Sequence, residues 1–275
     1  MKPAVAATAA GLMLSVISTP ASAQTPTAQP RTEEPGLQEL AKDKKNPLAD
    51  AFKVPFEFTT GFRIGPNHNT GENLNIQPVV PFALTSDWNL IARPLIPLTY
   101  VPEPIDEFGL GDVQLSLFLT PAGAERWIWG AGPIFQFPTA SSSDLGAGKW
   151  AAGPTGALVY SDGPWFNGVL ASHLWSFAGD RARSEVNQTS FEVLLSYNFA
   201  NGSYIQFDPV STYDWSANGR NAWTVPVGMD VGKVFKIGSR AISVQLGAYD
   251  YVQRPQDAAQ WMIRTQIMLL FPRGQ

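Results

Sequence analysis

The chain has 275 residues, of which only 15% are Asp, Glu, Lys or Arg while 12% are aromatic, including nine Trp, and its formal net charge is -4. Soluble domains carry roughly 25% charged residues, so this chain has too few to coat a water-facing surface, and its acidic balance excludes nucleic acid as a partner. Cysteine is absent, which excludes disulfides and thiolate metal sites.

Residues 1-23, MKPAVAATAAGLMLSVISTPASA, combine Lys2, an apolar run from Ala4 to Ile17 and the small-residue ending Ala21-Ser22-Ala23. This is the pattern of a cleavable secretory signal. Its removal takes away Lys2 and no acid, leaving 18 basic and 23 acidic residues and a net charge of -5. No later segment supplies the ~18 consecutive apolar residues of a spanning helix. An exported, aromatic-rich chain of this kind enters a membrane only as a closed barrel, because lipid tolerates no unpaired backbone group. Residues 24-36 are too rich in Pro, Thr, Gln and Glu to pack. Leu37 to Phe52 (LQELAKDKKNPLADAF) then predicts a short helix broken at Pro47. Segment 24-52 is thus expected in the periplasm, either as a plug at the barrel mouth or as a solvated linker.

Residues 53-275 are expected to form the barrel. Period-two alternation marks strands near 54-64, 73-83, 88-101, 110-120, 126-138, 149-161, 164-178, 186-199, 203-215, 222-235, 240-253 and 260-271. This predicts an all-β, antiparallel, up-and-down transmembrane barrel of about 12 strands, an even number with both ends in the periplasm. In the last strand Trp261, Ile263, Thr265, Ile267, Leu269 and Phe271 share one face, and Arg264 and Gln266 the other. The connections also sort by length. TSD at 85-87, Asp162-Gly163, Asn201-Gly202 and Ile237-Gly238-Ser239 are tight turns. GPNHNTGEN at 65-73, PEPIDEFG at 102-109, TASSSDLGAG at 139-148 and GDRARSE at 179-185 are longer and more polar, the outer loops of such a barrel. Trp88, Trp127, Trp150, Trp165, Trp215, Trp223 and Trp261 lie near strand ends, where interfacial girdles sit. Prolines conflict with this pattern, since a closed sheet has no edge for them. Either the strands carry bulges or some are shorter than these bounds, and PVVP (78-81) and PLIP (94-97), which fall in neighbouring strands, point to matched bulges there.

Several blocks carry a family likeness: NPLAD (46-50), LNIQPVVPF (74-82), DWNLIARPLIPL (87-98), GLGDVQLSLFLTP (109-121), WIWGAGPIFQFPTA (127-140), LGAGKWAAGPTGAL (145-158), HLWSFAGD (173-180), STYDW (211-215) and WTVPV (223-227). From Asn46 to Pro272 the chain resembles the outer-membrane transporters filed under the phenol-degradation pathway, members of which are sometimes labelled neuromedin U. The resemblance implies a Gram-negative outer-membrane barrel that moves small molecules. It brings no catalytic residues with it. The tail departs from the usual barrel ending, with Pro-Arg-Gly-Gln after Phe271.

By parity the inward positions include Glu57, Arg93, Asp112, Gln114, Glu192, Asp208, Asp230 and Arg264. Arg93 and Arg264, opposed by Glu192, Asp208 and Asp230, either line a path for small polar, aromatic or organic-acid solutes or cross-link a closed lumen. Catalysis is not expected. His68 lies in a loop, and His173 has Ser172 on the opposite face and Trp175 at the next same-face position. Neither His has a partner at ligand spacing, so no metal or other cofactor is expected. Loop acids Glu103, Asp106 and Glu107 are read as solvated, with Ca²⁺ or cation-bridged lipopolysaccharide as the alternative. The expected function is passive diffusion of small solutes through a polar lumen. A non-conducting structural or interaction barrel and a lipid-modifying enzyme are the alternatives. Expected partners are outer-membrane lipid, lipopolysaccharide, the solute and the barrel-assembly machinery.

Overall fold

A computed structural model describes residues 36–49, 51–124, 126–237 and 240–271. The expected signal sequence, residues 24–35 of the expected periplasmic segment, Gly238 and Ser239 of the tight turn and the tail beyond Phe271 lie outside these residues. One helix, α1 (Leu37–Lys45), precedes fifteen β segments: β1 Phe52–Ile64, β2 Asn69–Ile76, β3 Val80–Ala83, β4 Trp88–Val101, β5 Glu107–Leu110, β6 Val113–Pro121, β7 Trp127–Phe137, β8 Lys149–Asp162, β9 Trp165–Gly179, β10 Asn187–Asn198, β11 Ser203–Phe207, β12 Val210–Asp214, β13 Trp223–Ile237, β14 Arg240–Gln253 and β15 Trp261–Phe271. The pairs β2 with β3, β5 with β6 and β11 with β12 are each two halves of one strand, which makes twelve.

All pairings are antiparallel. Each strand bonds to its sequence neighbours, and β1 returns to β15 with the register Phe52↔Phe271 to Phe62↔Trp261, so the sheet is a closed barrel. Closure matters because a sheet edge in lipid leaves a row of unpaired N–H and C=O groups. No helix among the described residues is long and apolar enough to cross a membrane.

Alternation along the strands sets the two faces. Leu158, Val169, Leu195, Met229, Val231, Val244, Leu246 and Ile267 point outward and are exposed, together with Trp127 and Trp165 near one end and Trp150, Trp175, Trp215 and Trp223 near the other. So large an exposed apolar surface is a liability in water and a match to hydrocarbon. The short turns after even strands gather at one end, with Gly163 (φ 52°) and Gly202 (φ 80°) supplying the left-handed backbone they need. Longer loops gather at the other.

Two expectations need correction. The loop after β1 is shorter than 65-73, because Asn69 already pairs with Ile64 across a bulge at Phe62/Ile64. The prolines are not accommodated by matched bulges at PVVP and PLIP. β4 runs unbroken through Pro94 and Pro97, while β2 and β3 part at 77–79 with no extra residue, since Ile76↔Ile96 and Val80↔Ala92 keep one register. The bulge near them lies further on, where Leu98↔Leu110 gives way to Leu95↔Gln114 around Gly111 and Asp112.

Candidate functional site

The barrel interior is polar along one wall and apolar at the turn end, where it is filled by the chain's own N-terminal segment. Leu40 and Ala41 of α1 pack with Tyr204, Val234, Ala241, Met268 and Leu270. Past α1, Leu48 packs with Val79, Ile91, Phe118 and Ala157 on the opposite side of the barrel. Two buried lysines hold this plug. Lys44 Nζ donates to Tyr204 Oη at 2.7 Å, Gln206 Oε1 at 3.2 Å and Gln245 Oε1 at 2.5 Å, and lies 3.9 Å from the centre of the Tyr204 ring. Lys53 Nζ donates to the carbonyls of Asp43, Lys44 and Asn46 at 2.9, 2.8 and 2.6 Å. These carbonyls end α1, where the helix leaves acceptors unpaired and its dipole is negative. Residues from Leu40 to Leu48 thus lie inside the barrel.

Above the plug lies a cavity of about 250 Å³ whose lining includes Glu57, Arg93, Gln114, Glu192, Asp208 and Arg264, with Lys44, Pro47 and Lys53 at its floor. The charges fall into two groups. On one wall Arg264 Nη2 donates to Asp208 Oδ1 and Asp230 Oδ2, and Nε donates to Asp230 Oδ1 at 3.1 Å. Its Nη1 lies 3.8 Å from Glu57 Oε2, and its guanidinium sits 4.7 Å from the Tyr249 ring centre. The Tyr249 hydroxyl bridges Asp230 and Asp208, and Gln206 Nε2 reaches Asp208 Oδ2 at 3.2 Å. Asp230 has 0% of its surface exposed, so it lies behind the lumen surface as support for Arg264. Gly247 pairs with Arg264 and leaves the notch for this carboxylate, since a Cβ there would stand 2.0 Å from Asp230 Oδ1.

On the other wall Arg93 feels the Glu192 carboxylate and lies 5.9 Å from the Phe118 ring centre, while its Nε is buried without a hydrogen-bond partner. Gln114 Nε2 donates to Gln136 Oε1 at 3.1 Å nearby. Asp112 is not brought to the cavity. It sits in the bulge and accepts from Ala140 N–H at 3.2 Å and Ala147 N–H at 2.7 Å, anchoring the 138–148 loop.

Tyr204, Tyr249, Lys44 and Lys53 were missed by sequence reasoning. Parity alone marks the tyrosines as inward, but nothing local distinguishes them from girdle aromatics, and the lysines act only because the plug folds back. His173 likewise gains partners from the next strand: Thr189 Oγ1 lies 2.7 Å from its Nδ1 and Asn187 Oδ1 lies 3.1 Å from its Nε2. Thr189 Oγ1 also accepts from the Trp215 indole N–H at 2.9 Å. Hydroxyl, imidazole and amide are thus in triad order on the outward face. The neighbouring N–H groups of β9 and β10 are directed along the sheet by continuous pairing from Asn187↔Trp175 onward, which leaves no backbone pair turned outward as an oxyanion hole. The three side chains form a polar clasp beside Trp175. Asp106 accepts from Tyr100 Oη at 2.8 Å, and no group of three or more metal-ligating side chains occurs among the described residues.

The chain matches no family model and no curated protein. Among solved structures it is similar to an outer-membrane channel from Pseudomonas putida F1, with a TM-score of 0.62 and 15% identity over 80% of this chain and 96% of that one. It is also similar to the NanC porin, with a TM-score of 0.51 and 12% identity over 81% of this chain and all (100%) of that one. At such identities the likeness is one of architecture, and the chain has the fold of the outer-membrane β-barrels.

Proposed function

We propose that this protein is an outer-membrane channel or transporter that passes small solutes by diffusion through its lumen. The short-turn end faces the periplasm and the long loops face outward, as is usual in such barrels. Residues 1-23 direct export, and residues 24-52 serve as the periplasmic plug. The observation that carries this reading is the charged cavity enclosed by a lipid-compatible wall, lined by Arg93 and Arg264 together with Glu57, Glu192 and Asp208. The resemblance to transporters filed under the phenol-degradation pathway supports aromatic or organic-acid solutes, for which Arg93 is a suitable carboxylate partner.

Single-channel recording of the refolded mature protein in planar bilayers tests this. Discrete openings are expected, with ion preference shifted toward cations in Arg93→Ala, and larger openings after deletion of residues 24-49. Silence in both the full protein and the deletion, with folding and insertion verified, sinks the channel reading in favour of a non-conducting barrel, which the closed Arg264 network also suits.

A further inference from the structure

The β13–β14 hairpin overhangs its neighbour at the short-turn end. β11 begins at Ser203, which pairs with Lys233, and in the turn before it the Gly202 carbonyl accepts from Val234 N–H at 2.9 Å. β13 runs on to Ile237, where it pairs with Arg240 of β14. Residues directly opposite each other in an antiparallel pair share a face. Lys233 with Val244, Phe235 with Ile242 and Ile237 with Arg240 therefore make one outward lane. Toward the middle of the wall this lane continues into the exposed side chains of Val231, Met229 and Leu246, with Ile205 of β11 beside them.

The lane is basic where it meets the membrane surface. Residues 231–246 hold Lys233, Lys236 and Arg240 and no acid, and residues 199–207 of the adjoining turn and strand hold no charge at all. Lys233 and Arg240 are the outward pair, and among the described residues neither meets a carboxylate. The Lys233 ammonium lies 5.6 Å from the Phe235 ring centre, so its stem folds along the wall toward the turn end, the direction in which a lipid-facing lysine reaches headgroups. Arg240 approaches the same rows from the hairpin tip, about 13 Å of strand away, a gap that two long side chains close around one phosphate. The Ser203 hydroxyl shares the face of Lys233. Free phosphate would have no use for the apolar rows that flank these cations, whereas a phospholipid fills both: Phe235, Ile237 and Ile242 lie at headgroup level, and Val231, Leu246 and Ile205 lie where acyl chains run.

We propose that Lys233, Arg240 and the Ser203 hydroxyl form a binding site for one anionic glycerophospholipid in the leaflet at the short-turn end, its phosphate between the two cations and its acyl chains against Val231, Ile205 and Leu246. The site goes beyond the channel reading and takes from it only the orientation that makes this leaflet the periplasmic one. Native mass spectrometry of the refolded mature protein, released from detergent and titrated with dioleoylphosphatidylglycerol or dioleoylphosphatidylcholine, counts the bound lipids. Phosphatidylglycerol is expected to bind as one preferred adduct, about tenfold more tightly than phosphatidylcholine, whose own cation offsets its phosphate. Lys233→Gln/Arg240→Gln is expected to bring the two lipids level. Arg126→Gln is expected to leave the preference intact, because Arg126 is a cation at the same end of the barrel that lies 3.6 Å from Asp162 instead. Equal binding of the two lipids by the native chain overturns the site, and so does a preference that survives the double variant or that falls as far in Arg126→Gln. Conductance in planar bilayers bears on the channel reading alone, so the two fail separately.

Discussion

Arg264 is the residue on which most of the interior polarity converges. It faces Asp208, Asp230 and Glu57 at once, so removing its charge leaves at least two buried carboxylates uncompensated. Breaking one side of such a network costs about 3–5 kcal/mol, whereas replacing all members together is near neutral. Arg264→Met is expected to lower stability by that amount in urea unfolding from vesicles, and Arg264→Met/Asp208→Asn/Asp230→Asn to recover most of it. Glu185, in the 180–186 loop, gives that loop a response to pH. The Lys149 ammonium at 2.8 Å, then the Ser176 hydroxyl, hold its carboxyl below the usual glutamate range. With the folded value depressed, the link is fully present above the ordinary glutamate range and is lost as pH falls through the depressed value. Amide exchange in this loop is expected to quicken on that acid limb in the native chain, and to be fast and independent of pH there, after correction for intrinsic exchange, in Glu185→Gln.

At the scale of elements, α1 and the residues after it fill the turn end of the lumen. α1 is nine residues long, too short to persist alone in water, and it survives because Lys53 closes its carbonyl end and Leu40 and Ala41 reach the barrel wall. Gly232 makes room for this arrangement, since a Cβ there would stand 2.2 Å from the Tyr204 hydroxyl oxygen that receives Lys44. Gly232→Ala is accordingly expected to displace Tyr204 and loosen the plug without opening the wall. In bilayers this reads as longer or more frequent openings, with the heat-modifiable mobility of the folded barrel retained. Leu48→Ala removes the contact on the other side at a cost of about 2–5 kcal/mol, and the same rise in open probability is expected.

For the whole molecule, the decisive property is that the outer face meets hydrocarbon. Leu246 lies mid-strand in β14 and is exposed. In water an exposed Leu→Arg change is nearly neutral, but on a lipid-facing barrel wall it costs roughly 2–4 kcal/mol near the midplane. Reversible unfolding of Leu246→Arg from vesicles is expected to show that loss. A change within about 0.5 kcal/mol would place this face in water and end the membrane reading.

Architecture was legible in the sequence because alternation is local. A side chain's face follows from its neighbours two residues away, so strand number, the lipid and lumen faces, and the sorting of turns from loops could all be read without coordinates. The inward parity of Glu57, Arg93, Glu192, Asp208 and Arg264 came from the same rule. Partner choice did not, because it depends on which strands lie side by side and how far each is sheared. That is why Arg264 takes both Asp208 and Asp230 while Arg93 is left with Glu192, why Asp112 serves a loop, and why His173 finds Thr189 and Asn187. The helix was legible in the sequence while its place stayed open between plug and linker, since what seats it lies on β11, β13, β14 and β15, more than a hundred residues away. The prolines mark the boundary between the two kinds of knowledge: their positions are plain in the sequence, but only the register shows that Pro78 and Pro94 lie opposite one another.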